Sequence, residues 1–225
     1  MVKALLVITA YLLGSIPTGF IAVKALKKED IRKSGSGATG ATNVNRKLGP
    51  FWAVPVAFGD VMKAYIPTLI AVKLWPNKHW LHLLVGGAAT LGHSKSVFLG
   101  FRGGKAVSTS AGFFFAIAGR EPRLWSVFYF SLGGFLGAII GSGGIISLGS
   151  VFGPIIGSLY STRLSNLSKV SKWYTFGLWM AAGFITLMHR ENLVRLFRGE
   201  EPKTGKEILG QLVDTTRKTV GKLFN

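Results

Sequence analysis

LWSVFYFSLGGFLGAIIGSGGIISLGSVFGPIIGSLYST, residues 124–162, runs for 39 residues without a charge. A helix needs about 20 apolar residues to cross about 30 Å of hydrocarbon, so the run is about two spans long. Gly141, Ser142, Gly143 and Gly144 stand at its middle and offer a turn. Whether the run crosses once or twice decides which side everything after it reaches.

On either side the chain keeps the same character. Residues 4–23 form a 20-residue uncharged run containing Gly14, Ser15, Pro17 and Gly19. It is too long for the apolar part of a cleaved signal peptide, so we read a retained first span with a bend near Pro17. Residues 51–75 are apolar except for Asp60, Lys63 and Lys73. Asp60 and Lys63, at i and i+3, share a helix face where opposite charges pair, either as a structural bond or as part of a catalytic site. Residues 79–91 and 106–119 are short for a span and must recruit neighbours, thin the bilayer or end within the protein. Residues 173–188 are the last apolar run. Beyond them the chain is polar and charged, which predicts a membrane domain over 1–200 and a polar cytoplasmic tail over 201–225.

Composition agrees. Of 225 residues 48% are hydrophobic and only 16% charged, with a mean hydropathy of +0.39, the balance of a polytopic membrane protein. The 27 Lys and Arg against 9 Asp and Glu give a net charge of +18. They cluster in the gaps between apolar runs, which favours anionic membrane lipid and a phosphorylated substrate over nucleic acid. There is no Cys, so neither disulfides nor thiolate catalysis can operate.

Two crossings by residues 124–162 make seven spans. They put the loops at 24–47 and 92–105 and the tail after His189 on one face, with 18 Lys and Arg against 8 on the other. The positive-inside rule makes that face cytoplasmic; a single crossing would export the basic tail. The sequence therefore predicts an all-α integral membrane protein of seven transmembrane helices, its N-terminus outside and three polar motif loops on the cytoplasmic face.

The first of these loops, residues 34–46, reads SGSGATGATNVNR. Its glycines allow backbone N–H groups to converge on an anion. Ser36, Thr42 and Asn43 add neutral hydrogen-bonding groups, and Arg46 a planar fork suited to phosphate. A flexible linker is the plain alternative. Gly35, Gly37 and Gly40 match GxGxxG, but no buried strand precedes them, as a dinucleotide site requires. The second loop, residues 92–109, reads GHSKSVFLGFRGGKAVST. It fails as a nucleotide P-loop because Leu99 stands where Gly is needed. Gly103 and Gly104 suit a backbone cradle, with Lys105 as a point charge for a monophosphate. The third, residues 189–203, reads HRENLVRLFRGEEPK. His189 and Asn192 lie at i and i+3 on a helix leaving the bilayer and can face one site, while Arg190, Arg195 and Arg198 can meet headgroups. Taken singly, His189 is better read as an interfacial histidine; three such stretches on one face raise the functional reading above it.

The three stretches together resemble the motifs of the PlsY-type bacterial acyl-phosphate:glycerol-3-phosphate acyltransferases. Gly37, residues 40–43 and Arg46 are similar to the first motif; Gly92, His93, residues 97–99 and Gly103 to Lys105 to the second; residues 189–192 to the third. GSIPTG at 14–19, and Asp60 with Lys63, are similar as well. The family usually has Asn at the position of Ala38, Phe-Pro at Lys95 and Ser96, and Gly at Ala106. The resemblance implies transfer of a fatty acyl group from acyl phosphate to the 1-hydroxyl of glycerol 3-phosphate, giving lysophosphatidic acid and phosphate, in the bacterial cytoplasmic membrane and with neither cofactor nor metal. It implies Arg46, Lys105 and His189 around glycerol 3-phosphate, Ser36 and Asn192 orienting its hydroxyls, and Gly37, Gly40, Thr42, Asn43, His93, Gly103 and Gly104 among the binding residues, the glycine amides holding the acyl-phosphate head. The base would be an oxygen of the acyl phosphate or His189. A transporter or binding protein for a phosphorylated molecule is the alternative, and it should carry its polarity at mid-membrane.

Overall fold

The structure, a computed structural model, describes residues 1–203. Ten α-helices and two single 3₁₀ turns make up its regular structure: α1 Val2–Ser15, α2 Thr18–Lys27, α3 Ala41–Leu48, α4 Pro50–Leu74, α5 His79–Ser94, α6 Val107–Ala118, α7 Leu124–Gly141, α8 Ile146–Asn166, α9 Lys172–Met188 and α10 Arg190–Phe197. Among the described residues three stretches are long and apolar enough to cross a membrane: Val2–Lys27, Pro50–Leu74 and Leu124–Gly141.

The 39-residue run is a helical hairpin. α7 ends at Gly141 and α8 begins at Ile146, and Gly143 (φ 71°) and Gly144 (φ 112°) take the left-handed backbone that the reversal demands. The Ser142 hydroxyl accepts the Ile145 amide at 3.1 Å and closes the turn. Beyond it Gly149, Gly153 and Gly157 recur every fourth residue along one face of α8, where a Cβ would stand within 3 Å of α7 atoms. Small residues at this spacing let two helices approach closely in an apolar setting.

The first apolar run breaks where its proline predicts. Pro17 has no N–H and forces Ile16 into an extended conformation (ψ 115°), so the helix stops at Ser15 and restarts at Thr18. The carbonyls freed by the break are taken by side chains from elsewhere. Ser15 O accepts the Ser96 hydroxyl at 2.6 Å, and Ile16 O accepts Lys63 Nζ at 3.0 Å. Lys63 also pairs with Asp60 at 2.7 Å, so the two charges in the middle of α4 neutralise each other inside the bundle.

Residues 34–46, read from sequence as a loop, are a loop only as far as Gly40. Ala41, Val44 and Leu48 fall on one face of α3 and pack with Val23, Ile31 and Val56, and that burial pays for helix over the polar residues between them.

Sequential rods run back and forth, so their connections collect at two ends. At one end His79 meets Ser171 at 2.9 Å, Arg120 meets Asn77 at 3.3 Å and Lys3 lies over the Trp75 ring. Just inside it, His82 Nε2 donates to the Trp75 carbonyl at 3.0 Å, which leaves Nδ1 to accept the Tyr174 hydroxyl at 2.9 Å. The other end gathers the three motif stretches and the 142–145 turn.

Candidate active site

A polar cavity of about 240 Å³ opens at that second end. Its wall comes from residues 36–46, His93, residues 105–108, residues 146–150 and residues 189–202, with Asp60 reaching up from α4 and Phe135 from α7. Ser36, Gly40, Thr42, Asn43, Arg46, His93, Lys105, His189 and Asn192, all singled out in the sequence, share this wall. Gly37, Gly103 and Gly104 do not line it.

The glycine cradle is the expectation that has to be corrected. The Gly37 amide bonds to Ser34 O at 3.1 Å and the Gly104 amide to His93 O at 3.0 Å, so both donors are spent. A Cβ at Gly103 would sit 2.1 Å from His93 O, and one at Gly104 would sit 2.0 Å from His93 Nε2. These two glycines let the second motif fold onto His93. Asn43 changes role as well: its amide nitrogen spans the carbonyls of Ile31, Ser34 and Ala38 at 3.3, 3.0 and 2.9 Å, and its oxygen accepts the Ser36 amide at 3.3 Å. It ties the first motif together and has little left for a ligand.

The cavity takes its anion-binding character from helix ends instead. The first turns of α3, α6, α8 and α10 all contribute to its wall, and none of the four is capped by a side-chain hydrogen bond. First-turn N–H groups have no acceptor within their own helix, and each N-terminus carries about half a positive charge. Four of them share the wall with Arg46 and Lys105, an arrangement whose chemistry suits phosphate groups.

Across the cavity a chain of hydrogen bonds joins the second and third motifs. Lys105 Nζ donates to Asn192 Oδ1 at 2.5 Å. The amide of Asn192 donates to Glu201 Oε1 at 2.6 Å, as does the Ser147 hydroxyl at 2.8 Å, and Arg195 Nε meets Glu201 Oε2 at 2.9 Å. Burial pulls the Lys105 ammonium down to about 8, helped by the neighbouring Arg195. Burial alone would raise Glu201, but the bonds from Asn192, Ser147 and Arg195 hold it below the ordinary carboxylate range. His189 donates through Nδ1 to Ile185 O at 2.8 Å, and burial lowers its pKa. Burial disfavours the imidazolium, and in the neutral ring that donates through Nδ1 the lone pair lies on Nε2.

Glu201 and Pro202, assigned from sequence to the tail, thus belong to the site. Ser147 and Ser150 were missed too: hydroxyls inside an uncharged run read only as tolerated polarity, and nothing local marks them as lining a cavity. The rest of the predicted tail, from residue 204, lies outside the described residues.

Beside the polar cavity an apolar one of about 190 Å³ runs between α6, α7, α8 and α9, lined by Phe113, Phe114, Phe128 and Leu132. The two share Val107 and Phe135.

Residues 4–199 match the family model described as glycerol-3-phosphate acyltransferase. A glycerol-3-phosphate acyltransferase of Trichormus variabilis is 41% identical over 90% of this chain and 92% of its own length; one from Nostoc is 40% identical with the same coverage. Among solved structures, PlsY (YgiH), described as an integral membrane glycerol 3-phosphate acyltransferase, in its glycerol 3-phosphate form superposes with a TM-score of 0.79 at 39% identity, over 90% of this chain and 95% of that one. Its lysophosphatidic acid form gives 0.77 at 38%.

Proposed function

The chain belongs to the glycerol-3-phosphate acyltransferase family, and from that premise we propose that its donor is an acyl phosphate and that residues 36–46, 105–108, 146–150 and 189–202 hold the two substrates. It is an integral membrane acyltransferase of phospholipid synthesis. The observation that carries the donor assignment is the adjacency of the two cavities, a polar chamber and an apolar slot that share Val107 and Phe135 in their walls. A fatty acyl phosphate has that shape, a dianionic head on an apolar chain.

Acyl phosphate is a mixed anhydride, activated before it arrives, so no acyl-enzyme is needed. The 1-hydroxyl of glycerol 3-phosphate attacks the acyl carbon, the new ester C–O bond forms, and the anhydride C–O bond breaks to release phosphate. The proton goes to an oxygen of the departing phosphate or to His189 Nε2. Lys105 and Arg46 compensate the charge of two anions brought together, and the chain through Asn192 and Glu201 fixes where the Lys105 ammonium points. Ser36 orients the glycerol hydroxyls.

We place the site on the cytoplasmic face of the bacterial inner membrane, with seven spans and the N-terminus outside. The basic side chains around it, Lys28, Lys47, Arg102 and Arg198 among them, suit anionic lipid headgroups. Purified protein given palmitoyl phosphate and glycerol 3-phosphate should release phosphate and form lysophosphatidic acid. Comparable turnover with acyl-CoA would overturn the donor assignment.

A further inference from the structure

Under the polar cavity lies a buried group that the proposed chemistry does not use. Asp60 is 1% exposed, and one of its oxygens, Oδ1, meets three partners: the Thr18 hydroxyl at 2.6 Å, Lys63 Nζ at 2.7 Å and His93 Nδ1 at 3.5 Å. Its other oxygen, Oδ2, is buried without a hydrogen bond. If Asp60 served only to neutralise Lys63, nothing would require an imidazole beside it, nor a carboxylate at the cavity wall. Yet both Asp60 and His93 line the cavity.

His93 in turn shapes the second motif. Its carbonyl takes the Gly104 amide, and its ring packs so tightly on Gly104 that no side chain fits there. Lys105, the next residue, is one of the two cations of the proposed site, with Arg46. From this we propose that Asp60 is a positioning residue for the acyltransfer: by accepting Nδ1–H it fixes the tautomer and plane of the His93 ring, and the ring fixes the turn at Gly103 and Gly104 that delivers Lys105 to the phosphate of glycerol 3-phosphate. A carboxylate behind an imidazole is a common way to lock a ring. Here it is itself locked by Thr18 and by Lys63, which is anchored to the carbonyl at the Pro17 break. The broken first helix thereby reaches the substrate through four groups in series.

The proposal rests on the acyltransfer reading, and its test separates the two. Phosphate release by the wild-type protein comes first, with glycerol 3-phosphate varied against saturating palmitoyl phosphate; failure there sinks the reading and not the relay alone. Asp60→Asn and His93→Gln are then each expected to raise KM for glycerol 3-phosphate about tenfold, the scale of one misaligned charge-assisted hydrogen bond. Because they act through one path, the double variant should be no worse than the poorer single one. Asp60→Asn/Lys63→Met removes the whole ion pair. It should recover the thermal unfolding temperature lost in Asp60→Asn and leave KM high. Recovery of KM by Lys63→Met, or losses that multiply in Asp60→Asn/His93→Gln, would show Asp60 to be a charge partner of Lys63 only. Should Asp60→Asn fail to fold, ¹⁵N-histidine spectra of the wild-type protein, assigned with His93→Gln, decide instead: the relay requires a proton on His93 Nδ1, and a bare Nδ1 excludes it.

Discussion

Lys105 is held in a state poised for an anion. Its ammonium is largely desolvated, it meets a neutral acceptor in Asn192, and its pKa is lowered to about 8. Below that pH the group is a cation, above it an amine, so the free enzyme loses its phosphate-binding charge as pH rises through about 8. The value of kcat/KM for glycerol 3-phosphate should therefore fall on the alkaline side with a midpoint near 8. Lys105→Ala removes a charge-assisted bond worth about 1.5 to 3 kcal/mol, or about one to two decades in kcat/KM, and should abolish that limb. Lys105→Arg keeps its charge across the range, so the limb should vanish while activity recovers in part, the broad fork fitting poorly beside Asn192. An alkaline limb that persists in Lys105→Arg would assign it to another group. Lys105, Arg46 and His189, which share the cavity wall, stood out in the sequence because they sit in three polar stretches that the expected topology brings to one face. Glu201 did not, since its place depends on three donors that come from α8 and α10.

At the scale of helices, the apolar runs could be read directly because hydrocarbon admits few backbone solutions. What could not be read is which helix ends turn inward. α6 shows why: its twelve residues start at Val107, giving a rod of about 18 Å where the hydrocarbon is about 30 Å. Before it the irregular 100–106 segment folds against His93 at Gly103 and Gly104 and reaches the cavity wall at Lys105 and Ala106. Irregular backbone within the hydrocarbon is tolerated only where protein or a wet cavity surrounds it. Ala106 is the residue that bends this segment into the helix, at a left-handed φ of 68° with 1% exposure. A Cβ there costs about 1 kcal/mol, partly offset by the larger unfolded-state entropy of glycine. Ala106→Gly should thus stabilise the protein by about 0.5 kcal/mol, seen as a rise of about 1 to 2 °C in thermal unfolding, with kcat/KM preserved or raised because the first turn of α6 relaxes. A lower unfolding temperature would mean that the methyl group's packing outweighs its strain.

For the whole molecule the decisive quantity is the parity of crossings. The cavity draws on the end of α5, the starts of α6 and α8, and the chain beyond α9. That convergence supports the proposed seven traverses, one for each helix from α4 to α9 and one for the broken pair α1–α2. Charge chooses the side: the motif end carries the larger share of Lys and Arg, so it should face the cytoplasm. Single cysteines added to this cysteine-free chain can report it, at exposed positions so that burial does not imitate shielding. Lys28, Arg102 and Glu200 lie at the motif end, Asn77 and Ser168 at the other, and all five are exposed. In intact cells an impermeant thiol reagent should modify cysteines at 77 and 168 and spare those at 28, 102 and 200; in permeabilised cells all five should react. Modification of 200 alone among the motif-end positions would mean an even number of crossings, with residues 124–162 crossing once. Modification of 28, 102 and 200 together would keep seven crossings and invert the orientation, putting glycerol 3-phosphate binding on the side where the positive-inside rule does not place it.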